Sequence, residues 1–331
     1  MNRTSPIAGP PFVAVLLATR QGARHLGTQL DSLAAQDHRG WRLVASDDGS
    51  TDGTVDLVRR FAAAHPDREV TLLPGPGLGA TANFLNLVAQ VRPGEALAYC
   101  DQDDQWLPDR LSIGVEAICG LGDEHEARAN ADPGHPILHV TRTIICDETL
   151  RPLRPAPLYS RPPGFLNALV QACTPGNTML VNPAGAALLK AAAPAAAKAG
   201  IVSHDWWSFQ VISGAGGTVI RDPRQTVLYR QHPDNVMGRN DTPRAMIARL
   251  AQLGGGDYGE WLRANIAALQ AVEPMLTQQN RGRLADFAAA LNRRGPLAAL
   301  ALARLGVYRQ TRAGTAALMA AAAAGRLGPR G

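Results

Sequence analysis

The sequence predicts an α/β domain, a mixed and mostly parallel sheet with helices on both faces, followed by a helical C-terminal extension. Three observations predict it. Apolar, β-branched runs alternate with segments of helical spacing through the first third of the 331-residue chain. Polar and acidic residues collect where those runs end. After about residue 240 strand-like runs cease and helical spacing takes over. Alternating strands and helices imply βαβ units, and ligands of such sheets bind at the carboxyl ends of the strands.

Residues 1–10 read as a flexible tail. Phe12 to Ala18 is a continuous apolar run, the pattern of a strand buried on both faces. A polar turn, Thr19 to Gly22, leads to a helix over His25 to Ala35 with Leu26, Leu30 and Leu33 on one face. Trp41 to Ala45 is a second strand, stopped by Ser46-Asp47-Asp48-Gly49-Ser50-Thr51-Asp52-Gly53. A helix over Thr54 to Ala64, a strand over Val70 to Leu73 and a helix over Thr81 to Val91 follow. Ala96 to Cys100 is a fourth strand and runs into Asp101-Gln102-Asp103-Asp104. A helix over Asp109 to Cys119 and a polar loop, Gly122 to Pro136, come next. Ile137 to Ile145 and Thr178 to Val181 read as strands, and Pro183 to Ala199 as an Ala-rich helix. His204 opens another helix, and Val219-Ile220 and Val227 to Tyr229 read as two short strands. Leu262, Ile266, Leu269 and Leu276 recur at helical spacing.

Composition narrows the function classes. The four cysteines have no CxxC spacing and no histidine cluster beside them, which argues against a disulfide framework or a zinc site. The N-terminus lacks the pattern of an export signal, and the best apolar stretch, Pro183 to Val202, is interrupted by Lys190, Pro194 and Lys198. A cytoplasmic protein is therefore expected. The net charge of +5 is unevenly placed: residues 237–331 hold 13 Arg, no Lys and five acids. Such a segment favours an anionic partner, the inner face of the cell membrane above all, and the alternative is a solvated helical surface. No aromatic platform or recognition motif accompanies it, so nucleic acid is not expected.

Four clusters carry candidate chemistry. Asp101 and Asp103, one residue apart at a strand end, can face one side of an extended chain and share a divalent cation with a diphosphate; the alternative is a solvated turn. Asp47 and Asp48 can accept hydrogen bonds from a base or ribose, or organise an Asx-turn and helix cap with Asp52 or Thr54. Asp205, just before Trp206-Trp207, is a general base or a helix-capping carboxylate. Arg230 and His232, in Tyr229-Arg230-Gln231-His232, can bind diphosphate or complete a metal shell. Gly75 to Gly79 (GPGLG) is only superficially a phosphate loop, and no GxxxxGK[ST] exists.

Together these residues resemble a family-2 inverting glycosyltransferase of the GT-A fold, closest to rhamnosyltransferase-type enzymes of bacterial surface-polysaccharide assembly. The resemblance rests on FVAVLLATRQG, LDSLAAQ, SDDGSTDGT, GATANF, YCDQDDQWLPDRL, TPGNTMLVN, HDWW and YRQHPDN, which occur in that order. It implies a transferase domain over residues 11–236 and an Arg-rich helical region over 237–331. It implies nucleotide and donor contacts at Thr19, Asp47, Asp48, Asn83, Asp101 and Arg230, and acceptor or sugar contacts at Asn177 and Trp206. It implies Mg²⁺ or Mn²⁺ held by Asp103 and His232, with Asp205 as the base. The implied donor is a dTDP-, UDP- or GDP-sugar, and the acceptor a glycan or lipid-linked glycan. The C-terminal helices are expected to touch a membrane or to form a homodimer. The chain departs from the family at Gly75-Pro76-Gly77, where Asn is common. A sugar nucleotidyltransferase and a non-catalytic nucleotide-sugar binder are the competing readings.

Overall fold

The computed structural model describes residues 10–120, 132, 134–232 and 257–328. The N-terminal half is built as its sequence pattern requires. Strands β1 (Val13–Thr19), β2 (Trp41–Asp47), β3 (Val70–Pro74) and β4 (Ala96–Cys100) pair in parallel in the order β3-β2-β1-β4. Each is linked to the next by a helix: α1 (Ala23–Ala34), α2 (Thr54–Ala64) and α3 (Ala80–Val88). β1 is the centre of this half. Its register sets Thr19 opposite Asp47, so the two polar strand ends meet.

Beyond β4 the sheet becomes mixed. β5 (Gln105–Trp106), helix α4 (Arg110–Ile118), β6 (Ile137–Cys146) and β7 (Pro152–Pro155) come next. The four-residue helix α5 (Phe165–Ala168), β8 (Met179–Val181), α6 (Pro183–Ala199), α7 (His204–Gly214) and β9 (Thr218–Arg230) follow. The sheet continues β4-β8-β6-β9-β5, with β7 on β6. β8 runs antiparallel to both β4 and β6, whereas β9 runs parallel to β6, and the long ladders of the sheet are the parallel ones.

Where sequence reading and structure differ, the reasons are local. β9 is one long strand rather than two short ones. Asp222-Pro223-Arg224 breaks its apolar pattern, and the strand passes that point through register shifts against β6. β7 has proline at both ends, a composition tolerated at an edge but unlike a strand interior. β5 is two residues long; it pairs with β9, and its Trp106 amide donates to Ser32 Oγ at 3.1 Å.

Alternation along β1 divides the core. Val13, Val15 and Leu17 pack with α1, α2 and α4 on one face; Ala14 and Leu16 pack with α3, α6 and α7 on the other. Helix α8 (Asp257–Ala271), α9 (Gln278–Leu291), α10 (Pro296–Leu305) and α11 (Arg312–Ala323) extend that second core. Leu262, Ile266, Leu269 and Leu276, picked out by helical spacing, are all buried there. The described part of the Arg-rich region therefore shares a core with the sheet. Two of its helices start at side-chain caps, Thr277 on the Asn280 amide and Thr311 on the Gly314 amide.

One buried ion pair ties β2 to β4. Arg42 donates from Nε to Glu95 Oε1 at 2.7 Å and from Nη2 to Oε2 at 2.8 Å, and both residues are buried. Among the described residues no helix is long and apolar enough to cross a membrane.

Candidate active site

The carboxyl ends of β1, β2 and β4 form one edge, and the acidic residues gather along it. Thr19 donates to Asp47 Oδ1 at 2.8 Å. Asp47 also accepts from Ser50, through Oγ at 2.6 Å and the amide at 2.7 Å. Its carboxylate thus folds the SDDGS loop back on itself.

Asp48 does similar work on the next loop. Its two oxygens accept from the amides of Gly77 at 2.6 Å and Gly79 at 2.8 Å. The glycines are needed there. Gly77 and Gly79 have φ of 72° and 89°, and a Cβ on Gly75 would stand 2.6 Å from Asp48 Oδ1. The amides of GPGLG are therefore spent on a carboxylate of this chain, which removes the phosphate-loop reading of that segment. Asn83, on α3, donates to the Ser46 carbonyl at 2.8 Å, and its Oδ1 is buried without a partner. Asp52 accepts from Thr54 and from the Ala23 amide, joining the starts of α1 and α2.

The loop after β4 separates its carboxylates by direction, as an extended chain must. Asp104 points inward. It is fully buried, accepting from Asn177 Nδ2 at 2.5 Å and from the Arg230 amide at 3.2 Å. Burial, with Asp103 and Asp101 nearby, raises its carboxyl well above the usual range. Arg110 braces the same frame, donating to the carbonyls of Asn177 and Met179 with its guanidinium 3.7 Å from the Trp106 ring centroid. Burial lowers Arg110 to about 9. Gln102 ties the loop to β1 through paired bonds with the Arg20 main chain, at 2.9 and 3.0 Å.

Asp101 and Asp103 remain at the crevice. Burial, then Asp103 and Asp205, push the Asp101 carboxyl up to about 7. Asp103 Oδ2 lies 2.8 Å from His232 Nε2, and Arg230 Nε donates to the Asp103 carbonyl at 2.8 Å. His25, on α1, faces His232 with ring centroids 5.1 Å apart. Burial, with Arg230 and His232 next, lowers the His25 imidazole below its usual value.

Asp205, in the first turn of α7, accepts from the Trp206 amide at 2.6 Å and from Ser203. Its second oxygen has a 3.3 Å contact with the Gly176 amide. His204 beside it stacks on Phe84 at 3.9 Å, and burial lowers its imidazole to about 4.

Two acceptor assignments need correction. Trp206 is 4% exposed, and its indole N–H donates to the Ala168 carbonyl at 2.6 Å. It stacks on Tyr258 of α8, so the helical cap covers the face a sugar would use. Asn177 is also buried, its amide committed to Asp104. Both belong to the scaffold. Sequence reading gives no role to Asp104, Arg110, Gln102 or His204. The alternation of side-chain direction after Asp103 was the signal available for Asp104.

Fold and site together define an open α/β domain with an acidic crevice at the carboxyl ends of its parallel strands. Residues 15–126 match the family model for glycosyl transferase family 2. It is 32% identical over 105 residues to the putative glycosyltransferase EpsE of Bacillus subtilis, covering 32% of this chain and 37% of that one. It is 23% identical to the dTDP-rhamnosyl transferase RfbG of Shigella flexneri over 76% of this chain and 83% of that one. The matched stretch thus spans little more than a third of EpsE but most of RfbG. A mannosyltransferase from Pyrobaculum calidifontis, solved with GDP-Man and Mn²⁺, is 20% identical with a TM-score of 0.48, covering 96% of this chain and 87% of that one.

Proposed function

We propose that this protein transfers a sugar from a nucleoside-diphosphate sugar to a hydroxyl of a glycan or lipid-linked glycan, inverting the anomeric carbon. The observation that carries the reading is the convergence of Asp101, Asp103 and Asp205 at the crevice, close enough that Asp103 and Asp205 both raise the Asp101 carboxyl. RfbG is named for a dTDP-rhamnose substrate, which makes dTDP-rhamnose the first donor to test.

The residues divide the work. Thr19, Asp47 and Asn83 line the nucleoside side. Asp48 shapes the 75–79 loop over it, and Arg230 offers positive charge to the diphosphate. Asp205 takes the proton of the attacking hydroxyl through Oδ2, whose only contact with a described residue is 3.3 Å long. Its other oxygen, held by Trp206 and Ser203, fixes the carboxylate plane. Displacement is in line, and no covalent enzyme intermediate forms.

A divalent cation fits the crowded carboxylates. Among the described residues no three His, Cys, Asp or Glu form a ready cage. Mg²⁺ typically uses one or two carboxylates together with phosphate oxygens, a requirement that Asp101 and Asp103 meet. His232 would add a nitrogen ligand beside Asp103. Such an ion, Mg²⁺ or Mn²⁺, would supply positive charge to the leaving diphosphate.

A lipid-linked acceptor calls for a membrane-facing surface. On α10, Leu297 and Leu300 are 61% and 46% exposed, opposite the buried Ala298 and Leu302. Arg293, Arg294 and Arg304 flank them, and no acid follows Asp286 in the chain. This face is assigned to an anionic bilayer. Sedimentation with anionic but not neutral vesicles, lost in Leu297→Asp/Leu300→Asp, is expected; equal sedimentation of the double variant refutes the assignment.

The activity test is release of nucleoside diphosphate from a panel of dTDP-, UDP- and GDP-sugars, with Mn²⁺, Mg²⁺ or EDTA. Asp205→Asn is expected to lower kcat by about 10²–10⁴-fold while keeping donor affinity. Full activity in Asp205→Asn, or no donor bound by the wild type, overturns the reading.

A further inference from the structure

Arg161, Arg221 and Arg309 stand together with no paired carboxylate among the described residues. Arg221, on β9, donates from Nη2 to the Arg161 carbonyl, while its Nε and Nη1 are buried without a hydrogen-bond partner. The adjacent Asp222 is occupied elsewhere, by His139 and Arg224. Arg161 lies 4.2 Å over the Tyr308 ring and donates to the Arg309 carbonyl at 2.9 Å. Arg309 donates to the Val170 carbonyl at 3.0 Å. All three guanidiniums are neutral-partnered: among the described residues none makes an ion pair with a carboxylate.

The three arginines surround one spot. Arg221 and Arg309 both act on the Cys173 thiol, and Arg161 and Arg221 both act on the Tyr308 hydroxyl. The carboxylate felt at Cys173 is that of Asp205. Cys173 lies three residues before Gly176, whose amide touches Asp205. The cluster therefore lies toward the proposed base. The segment that bears the cluster is tied down. Tyr308 donates to the Pro162 carbonyl at 2.7 Å, and Gln310 Nε2 donates to Asn167 Oδ1 at 2.7 Å. Each of the three arginines is partly exposed.

Leaving guanidinium donors buried and unpaired is unfavourable, the more so for a charged group. Gathering three like charges adds to that cost. An oxyanion removes both penalties, because the Nε/Nη fork of arginine matches two oxygens of a phosphate. We infer that Arg161, Arg221 and Arg309 form a binding site for a phosphate or diphosphate group of the acceptor, seated toward Asp205. The inference rests on the proposed transferase reading for the word acceptor, but not for the binding itself.

The test is titration calorimetry of the full chain in EDTA with inorganic phosphate, pyrophosphate and farnesyl diphosphate. Wild type is expected to bind pyrophosphate. Arg221→Met is expected to weaken it at least about tenfold, equivalent to about 1.4 kcal/mol. Arg221→Lys, which keeps the charge and loses the fork, is expected to fall between them. Arg59→Met, exposed on α2, is expected to change nothing. Arg161→Met repeats the test at a more peripheral position should Arg221→Met melt early. Farnesyl diphosphate binding tighter than pyrophosphate assigns the site to a lipid-linked group; equal affinity assigns it to a soluble phosphate. No pyrophosphate binding by wild type, unchanged binding in Arg221→Met, or an equal loss in Arg59→Met overturns the inference. Nucleoside-diphosphate binding with Mn²⁺, measured on the same variants, reports the donor reading separately.

Discussion

Asp48→Ala separates a loop anchor from a direct nucleotide contact. In the structure the Asp48 carboxylate is buried and holds the amides of Gly77 and Gly79. Hydrogen bonds to a charged group contribute about 1.5–3 kcal/mol each. Gly77 is exposed and Gly79 partly so, which lets water take over the freed amides. The discounted cost is about 2 kcal/mol for the pair. Urea unfolding of Asp48→Ala should show the midpoint falling by that free energy divided by m, with m unchanged. Amide exchange should rise over residues 75–79 and stay unchanged over 13–19. Asp48→Asn should recover little, because it turns one acceptor into a donor facing an amide N–H. A loss under about 0.5 kcal/mol with unchanged exchange refutes the anchoring role.

Three further outcomes follow from the geometry. Glu95→Gln strands the buried Arg42 guanidinium and should cost about 3–5 kcal/mol by thermal melt, whereas Arg42→Met/Glu95→Leu should recover most of it; a double variant as weak as the single contradicts this. Gly75→Ala drives a Cβ against Asp48 Oδ1 at 2.6 Å and the Asp47 carbonyl at 3.0 Å, so donor affinity should drop, while Gly27→Ala on α1, with nothing within 4 Å, should be neutral or slightly stabilising. Burial holds His204 near 4, below the 6.5 of an exposed imidazole. The unfolded chain therefore takes up the proton first: stability is intact above pH 6.5 and is lost as pH falls toward 4, by up to about 3 kcal/mol. His204→Gln should flatten that part of the pH–stability curve, and an unchanged curve would exclude His204 as its source.

Sequence by itself determined the parallel half of the sheet. Continuous apolar runs such as Val13–Leu17 read as strands buried on both faces, and the helices between them imply parallel βαβ units. It also determined where the acidic residues gather, because strand ends are local features. The helical spacing of Leu262, Ile266 and Leu269 marked the cap core for the same reason. Tertiary structure alone decided which polar groups face the crevice. Asp103 and Asp104 are adjacent and chemically alike, yet one meets His232 and the other is sealed against Asn177, a difference set by strand direction and by β9 pairing across the sheet. Trp206 reads as a sugar platform until α8 covers it. The unbalanced Arg221 is equally invisible in sequence, since it depends on Arg161 and Arg309, 60 and 88 positions away in the chain. Local periodicity fixes elements because its physics acts over one helical turn or one pleat; a site is assembled by contacts between elements, and those have no periodicity to read.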